Sequence, residues 1–148
     1  MRRPLILCLA FLAMPAVAQD APRPDIGERT QSPESMMRQF GLGPGQEDLD
    51  QAIAAAAAHP LGSAENPVRV GGPEGERAYI ARLRCADGAT PRIGQRVSAG
   101  AGAFGSVVDR YPLDCGAAAP GRVDLVMDMY HEEHREDAAP PGFTITPR

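Results

Sequence analysis

Hydrophobic and polar positions along the chain change period partway, and that change sets the architecture it predicts. Residues 46–58 (QEDLDQAIAAAAA) place Leu49, Ala52, Ile53 and Ala56 on one face at i, i+3, i+4 spacing. Glu47, Asp48 and Asp50 sit at the positive end of the helix dipole, and His59-Pro60 ends the run. A shorter helix is expected after Ser32-Pro33-Glu34, with Met36, Met37 and Phe40 as its apolar stripe and Gly41 as its stop. From Asn66 onward the period falls to two. Pro67–Val70 reads as a short extended run and Gly71–Gly75 as a turn. Ala78–Cys85 reads as a strand with Tyr79, Ala81, Leu83 and Cys85 on one side and Ile80, Arg82 and Arg84 on the other. Residues 86–105 read as a long exposed loop. Ser106–Tyr111 reads as a strand cut by Pro112, and residues 116–121 as a turn. Val123–Tyr130 alternates most regularly and has no proline. It is expected to be a central strand burying Val123, Leu125, Met127 and Met129. Phe143-Thr144-Ile145 is expected to dock as a last short strand.

Helices first and strands after argue an α+β fold: N-terminal helices followed by a small, mainly antiparallel β-sheet domain with one disulfide. The expected division is a signal peptide over 1–18, a disordered leader over 19–31, a helical segment over 32–59 and a β-rich domain over 60–146. The signal reading rests on Arg2-Arg3, the apolar run Leu5–Met14 and the Ala16-Val17-Ala18 cleavage pattern. It predicts a periplasmic or secreted product with no transmembrane segment after cleavage. Cys8 leaves with the signal. Cys85 and Cys115 remain as an even pair in an oxidising compartment, which predicts a disulfide. Zinc held jointly by those cysteines and two histidines is disfavoured by the same compartment.

Charge and composition narrow the functional classes. The net charge is −4, and losing Arg2 and Arg3 with the signal takes it to −6. Arginines are scattered rather than clustered, so no nucleic-acid partner is expected. With no Trp and three Tyr, stacking platforms for sugars are scarce. Gly100–Gly105 matches G-x-G-x-x-G, but Val107, Val108 and Pro112 follow it where a helix should begin, so the match reads as a loop. No G-x-S-x-G elbow is present, and Ser106 has no histidine near it in sequence.

The densest group of ligand-type residues is Asp128-Met-Tyr-His131-Glu-Glu-His134. Its three-residue histidine spacing is not that of H-E-x-x-H. On a helical turn Asp128, His131 and His134 would share a face and could hold zinc or another divalent transition metal. On a continued strand His131 and His134 would point apart, and the preceding alternation favours that arrangement. No cofactor is expected otherwise.

The segments Gly62–Val70 (GSAENPVRV), Tyr79…Leu83-Arg84-Cys85, Tyr111…Cys115, Met127–His131 (MDMYH) and Pro141-Gly142-Phe143 resemble those of a group of short exported proteins of Gram-negative bacteria. The resemblance spans about residues 60–146. It implies a common small domain and lends no catalytic residue. The leading expectation is a non-enzymatic envelope or secreted domain that binds a partner, through Arg82 and Arg84 with Arg92 and Arg96, or around Tyr130 and His131. The alternative is a metal-binding protein or metal-assisted hydrolase using Asp128, His131 and His134.

Overall fold

The computed structural model describes residues 45–148. The expected signal, leader and first helix lie outside them. The fold is α+β: helices are followed by a mixed, mostly antiparallel sheet, with one disulfide.

Helix α1 is Gln46–Ala56, close to its expected extent. The Asp48 carboxylate accepts the Gly45 backbone N–H at 3.2 Å, satisfying a donor at the helix start. A short extended piece, β1, is Val68–Arg69.

The expected turn at Gly71–Gly75 and strand at Ala78–Cys85 are largely a helix, α2, over Gly72–Arg82. Only β2, Leu83–Arg84, is extended. The physical reason is legible afterwards. Gly71 caps, Pro73 and Glu74 occupy the first turn, and Glu76, Tyr79, Ile80 and Leu83 recur at i, i+3, i+4, i+7 as one buried face. A glutamate at a core position disguised the helical period.

The expected loop 86–105 contains β3 (Arg92–Ile93) and β4 (Val97–Ala101), both wholly exposed. Strand β5 runs Val107–Asp114, straight through Pro112 rather than stopping there. Proline is tolerated because Pro112 O turns toward β3, accepting Gly94 N–H at 2.7 Å. Its missing N–H therefore falls where the neighbouring strand is interrupted, between β3 and β4. Strand β6 is Arg122–Asp128, and β7, Thr144–Ile145, is the expected terminal strand.

The main sheet has the order β1-β6-β5-β3, with β4 also pairing β5. β1 runs parallel to β6, and the β5 pairings are antiparallel. β6 is thus internal, as its alternation predicts. Leu125 and Met127 are fully buried, while Val123 and Met129 pack half-buried at the core margin. Tyr111 pairs with Leu125 and Asp109 with Met127, so these side chains share the face that carries the core with Val68, Tyr79, Ile80 and Leu83. β2 and β7 pair antiparallel as a second, two-stranded sheet. Cys85 and Cys115 are joined, with Cα atoms 5.8 Å apart.

Candidate functional site

Two fully buried carboxylates, Asp128 and Glu76, lie on opposite sides of the sheet, and each gathers polar side chains around it.

The first is Asp128, at the end of β6. The chain beyond it is held along the segment after β1: Val70 N–H donates to Asp128 O, Gly72 N–H to Met129 O, and His131 N–H to Val70 O, at 2.7–3.1 Å. Residues 131–134 then close a turn, His134 N–H to His131 O at 3.0 Å. From the other side comes the β4–β5 hairpin, built from the Gly-rich motif. Gly102 N–H donates to Ser106 O and Gly105 N–H to Gly102 O. Gly105 has φ 82°, a left-handed value suited to glycine. A Cβ at Gly102 would run into Val108. The motif is therefore a hairpin tip leading into a strand, and it presents Phe104 and Ser106 to the end of β6.

Asp128 receives a hydrogen bond from Ser106 Oγ, and one from Tyr130 N–H at 3.1 Å. His131 Nε2 approaches its Oδ2 to 3.3 Å, an ion-pair distance without the alignment of a hydrogen bond. Burial pushes the Asp128 carboxyl upward, but His131, Ser106 and the Tyr130 N–H outweigh it and hold the group below its ordinary value. The Phe104 ring meets His131 edge-on at 5.4 Å and has the Arg69 guanidinium 5.8 Å from its centroid.

The expected trio is only partly assembled. Asp128 and His131 come together, whereas His134 turns to Glu136 at 3.2 Å. Among the described residues no group of three or more His, Cys, Asp or Glu side chains is placed to hold a metal ion. Ser106 donates to the aspartate rather than to a histidine, so the three residues lack the order of a nucleophilic triad.

The second carboxylate, Glu76, was not foreseen. It projects from α2 onto β5 and is fully buried. Tyr111 OH donates to its Oε2 at 2.8 Å, while Oε1 has no partner. Arg96, from the β3–β4 connection, reaches Asp109 at 3.0 Å and lies 3.7 Å from Glu76 Oε2. Burial, then the like charge of Asp109, raise Glu76 against the opposing pull of Tyr111 and Arg96, and its pKa reaches about 7. Burial and the Glu76 contact likewise raise Tyr111. Only the alternation of Asp109 with Tyr111, set against a glutamate at a helical core position, could have signalled this cluster.

The arginines expected on one binding face are separately engaged. Arg82 ends α2 and binds the C-terminal segment through Thr146 O (2.8 Å), Glu136 O (3.3 Å) and Asp137 (2.7 Å). Arg84 donates to Ala81 O and Leu83 O. Arg92 and Arg122 flank Asp114. Tyr130 is half-buried and bridges to Gly71 through its backbone. The exposed large apolar side chains, Ile93, Val97 and Val107, lie on β3, β4 and the start of β5. At the β3 end, beside Ile93 alone of the three, an open groove of about 570 Å³ runs between Ile93, Pro112 and Val123, rimmed by Arg92, Arg122 and Asp124.

Compared with known proteins, the chain matches no family model, no curated protein and no solved structure.

Proposed function

We propose that this chain is an exported, non-enzymatic binding module that takes an extended polypeptide segment along the β3–β4 edge of its sheet. One observation carries the reading: Ile93, Val97 and Val107, the exposed large apolar residues, all border an edge strand that, among the described residues, pairs only with β5. A strand edge offers unpaired backbone N–H and C=O groups, and their natural complement is another strand. The adjoining groove, about 570 Å³, is of a size to accept side chains from such a segment. The register shift between Ser98 and Ala101 opposes indiscriminate pairing and favours a selective partner. The inward commitment of Ser106, Asp128, Arg82 and Arg84 leaves little free chemistry for catalysis. Export accords with the disulfide, which suits an oxidising compartment.

The test titrates the protein, made through its own leader, with a mixed-sequence heptapeptide library and separately with Zn²⁺, following backbone amide shifts. The proposal expects peptide shifts over residues 92–101 and 107–114 that disappear in Val97→Glu. Zinc shifts at Asp128 and His131 without peptide shifts at the edge would favour the metal reading instead. N-terminal sequencing of the exported product tests the leader: Gln19 is the expected first residue, and an intact Met1 on a cytoplasmic product would overturn export.

A further inference from the structure

Glu76, Asp109, Tyr111 and Arg96 bring three elements together: α2, β5 and the connection into β4. Their charges balance in only one protonation state. Arg96 is committed to Asp109 at 3.0 Å and stands off Glu76 at 3.7 Å. If Glu76 carries a proton, one carboxylate faces one guanidinium and the buried cluster is neutral. If Glu76 is ionised, two carboxylates face one guanidinium. The surplus negative charge then sits on a side chain with no solvent exposure, and one of its oxygens, Oε1, has no donor. Such a charge is costly in a low-dielectric interior.

We propose that these four residues form a proton-operated lock between α2 and β5, tight when Glu76 holds a proton and weakened when it releases it. The groups facing Glu76 are Tyr111 and Asp109 from β5 and Arg96 from the β3–β4 connection. Arg96 has the only substantially exposed side chain of the four, at 46%, so water reaches the pair from its side. It acts as a positioning residue, limiting the cost of ionisation without cancelling it. The working range lies near neutrality, because Glu76 is raised from 4.5 to about 7. The sign follows from linkage. A carboxyl raised in the folded state contributes stability that is complete below its unfolded value. That stability is lost as pH rises through the folded value. The domain is therefore tightest in mildly acidic surroundings and loosens between about pH 5 and 8. This inference is independent of the docking reading, since it concerns the core contact under α2 rather than the strand edge.

Two measurements on the full exported chain test it. In urea unfolding at pH 5 and pH 8, the wild-type unfolding constant should rise tens of fold more than that of Glu76→Gln, which imitates the protonated acid. Equal pH dependence in the two proteins would overturn the lock. Should Glu76→Gln fail to fold, carboxyl ¹³C titration of the wild type decides alone. A Glu76 midpoint above about 5.5, roughly one unit over an ordinary glutamate, supports the proposal, and a midpoint at or below that overturns it. Arg96→Gln should move the midpoint further up and Asp109→Asn should move it down. A merely structural role for either residue would leave the midpoint in place, and that result would remove Arg96 and Asp109 from the lock.

Discussion

Asp128 joins three stretches of chain that are distant in sequence or separated by a turn: the hairpin tip at Ser106, the strand end itself, and the turn carrying Tyr130 and His131. Its stabilising effect depends on its charge, because Ser106 Oγ and the Tyr130 N–H donate to it and His131 Nε2 lies 3.3 Å away. Asp128→Asn keeps the shape but turns an N–H₂ toward groups that are themselves donors. The expected cost is about 1–3 kcal/mol in urea unfolding near neutral pH. The pH dependence should run opposite to that of Glu76. Asp128 is held below its ordinary value of 3.8, so its contribution is present above that value and is lost as pH falls through the lowered one. The gap between wild type and Asp128→Asn should therefore narrow in strong acid. Leu125, fully buried between the sheet and its covering segments, tests the core in the same assay. Leu125→Ala should cost about 2–5 kcal/mol, set by the cavity it leaves.

At the scale of elements, legibility followed whether a segment's core face was purely apolar. β6 was readable because Leu125 and Met127 alternate with Asp124 and Asp128, and α1 because alanine, leucine and isoleucine hold a helical period. α2 was misread because its buried face includes Glu76, and because Tyr79, Ala81 and Leu83 mimic a strand. Its start signals, Pro73 and Glu74, read equally as a turn when the buried face is not recognised. The disulfide was legible from thiol parity and the expected compartment, and local spacing set Asp128 near His131, whereas the approach of Ser106 to Asp128 and of Tyr111 and Arg96 to Glu76 is long-range and no local pattern encodes it. The consequence for Arg82 is direct. As the last residue of a helix rather than the outer face of a strand, it holds the C-terminal segment through Thr146, Glu136 and Asp137. Tyr79 OH adds a hydrogen bond to Ala138 O at 2.9 Å. Arg82→Ala should leave Thr146 O without its guanidinium donor and Glu136 O with that of Arg148 alone, at a cost of about 1–3 kcal/mol. Limited proteolysis should then cut within 136–148 well before the rest of the domain, and unchanged cleavage there would mean that β2 pairing and the remaining contacts hold the segment without the Arg82 guanidinium.

Across the whole domain, the disulfide acts where the rest of the structure is weakest. The loop it closes spans 30 residues, from the end of β2 to the end of β5. Much of that loop is exposed: residues 86–90 and 92–101 are all exposed, and Pro91 is the buried exception before the hairpin tip. Such a segment recovers much conformational freedom on unfolding, so tying its ends together lowers the entropy of the unfolded chain substantially. Chain-entropy reasoning for this loop length gives about 3.6 kcal/mol, in a domain class whose total stability is about 5–15 kcal/mol. The double variant Cys85→Ala with Cys115→Ala should lose about 2–5 kcal/mol relative to the oxidised wild type, read from urea midpoints at constant slope. The measurement belongs at pH 5, where folded-state Glu76 is still protonated and most of its contribution remains. At pH 8 both losses act together on the same region, because the closed loop contains Arg96, Asp109 and Tyr111, the three residues that face Glu76. A double variant that is folded at pH 5 but largely unfolded at pH 8 is the expected result of that overlap. Losses that are equal at the two pH values would instead show that the bridge and the carboxyl cluster stabilise independent parts of the domain.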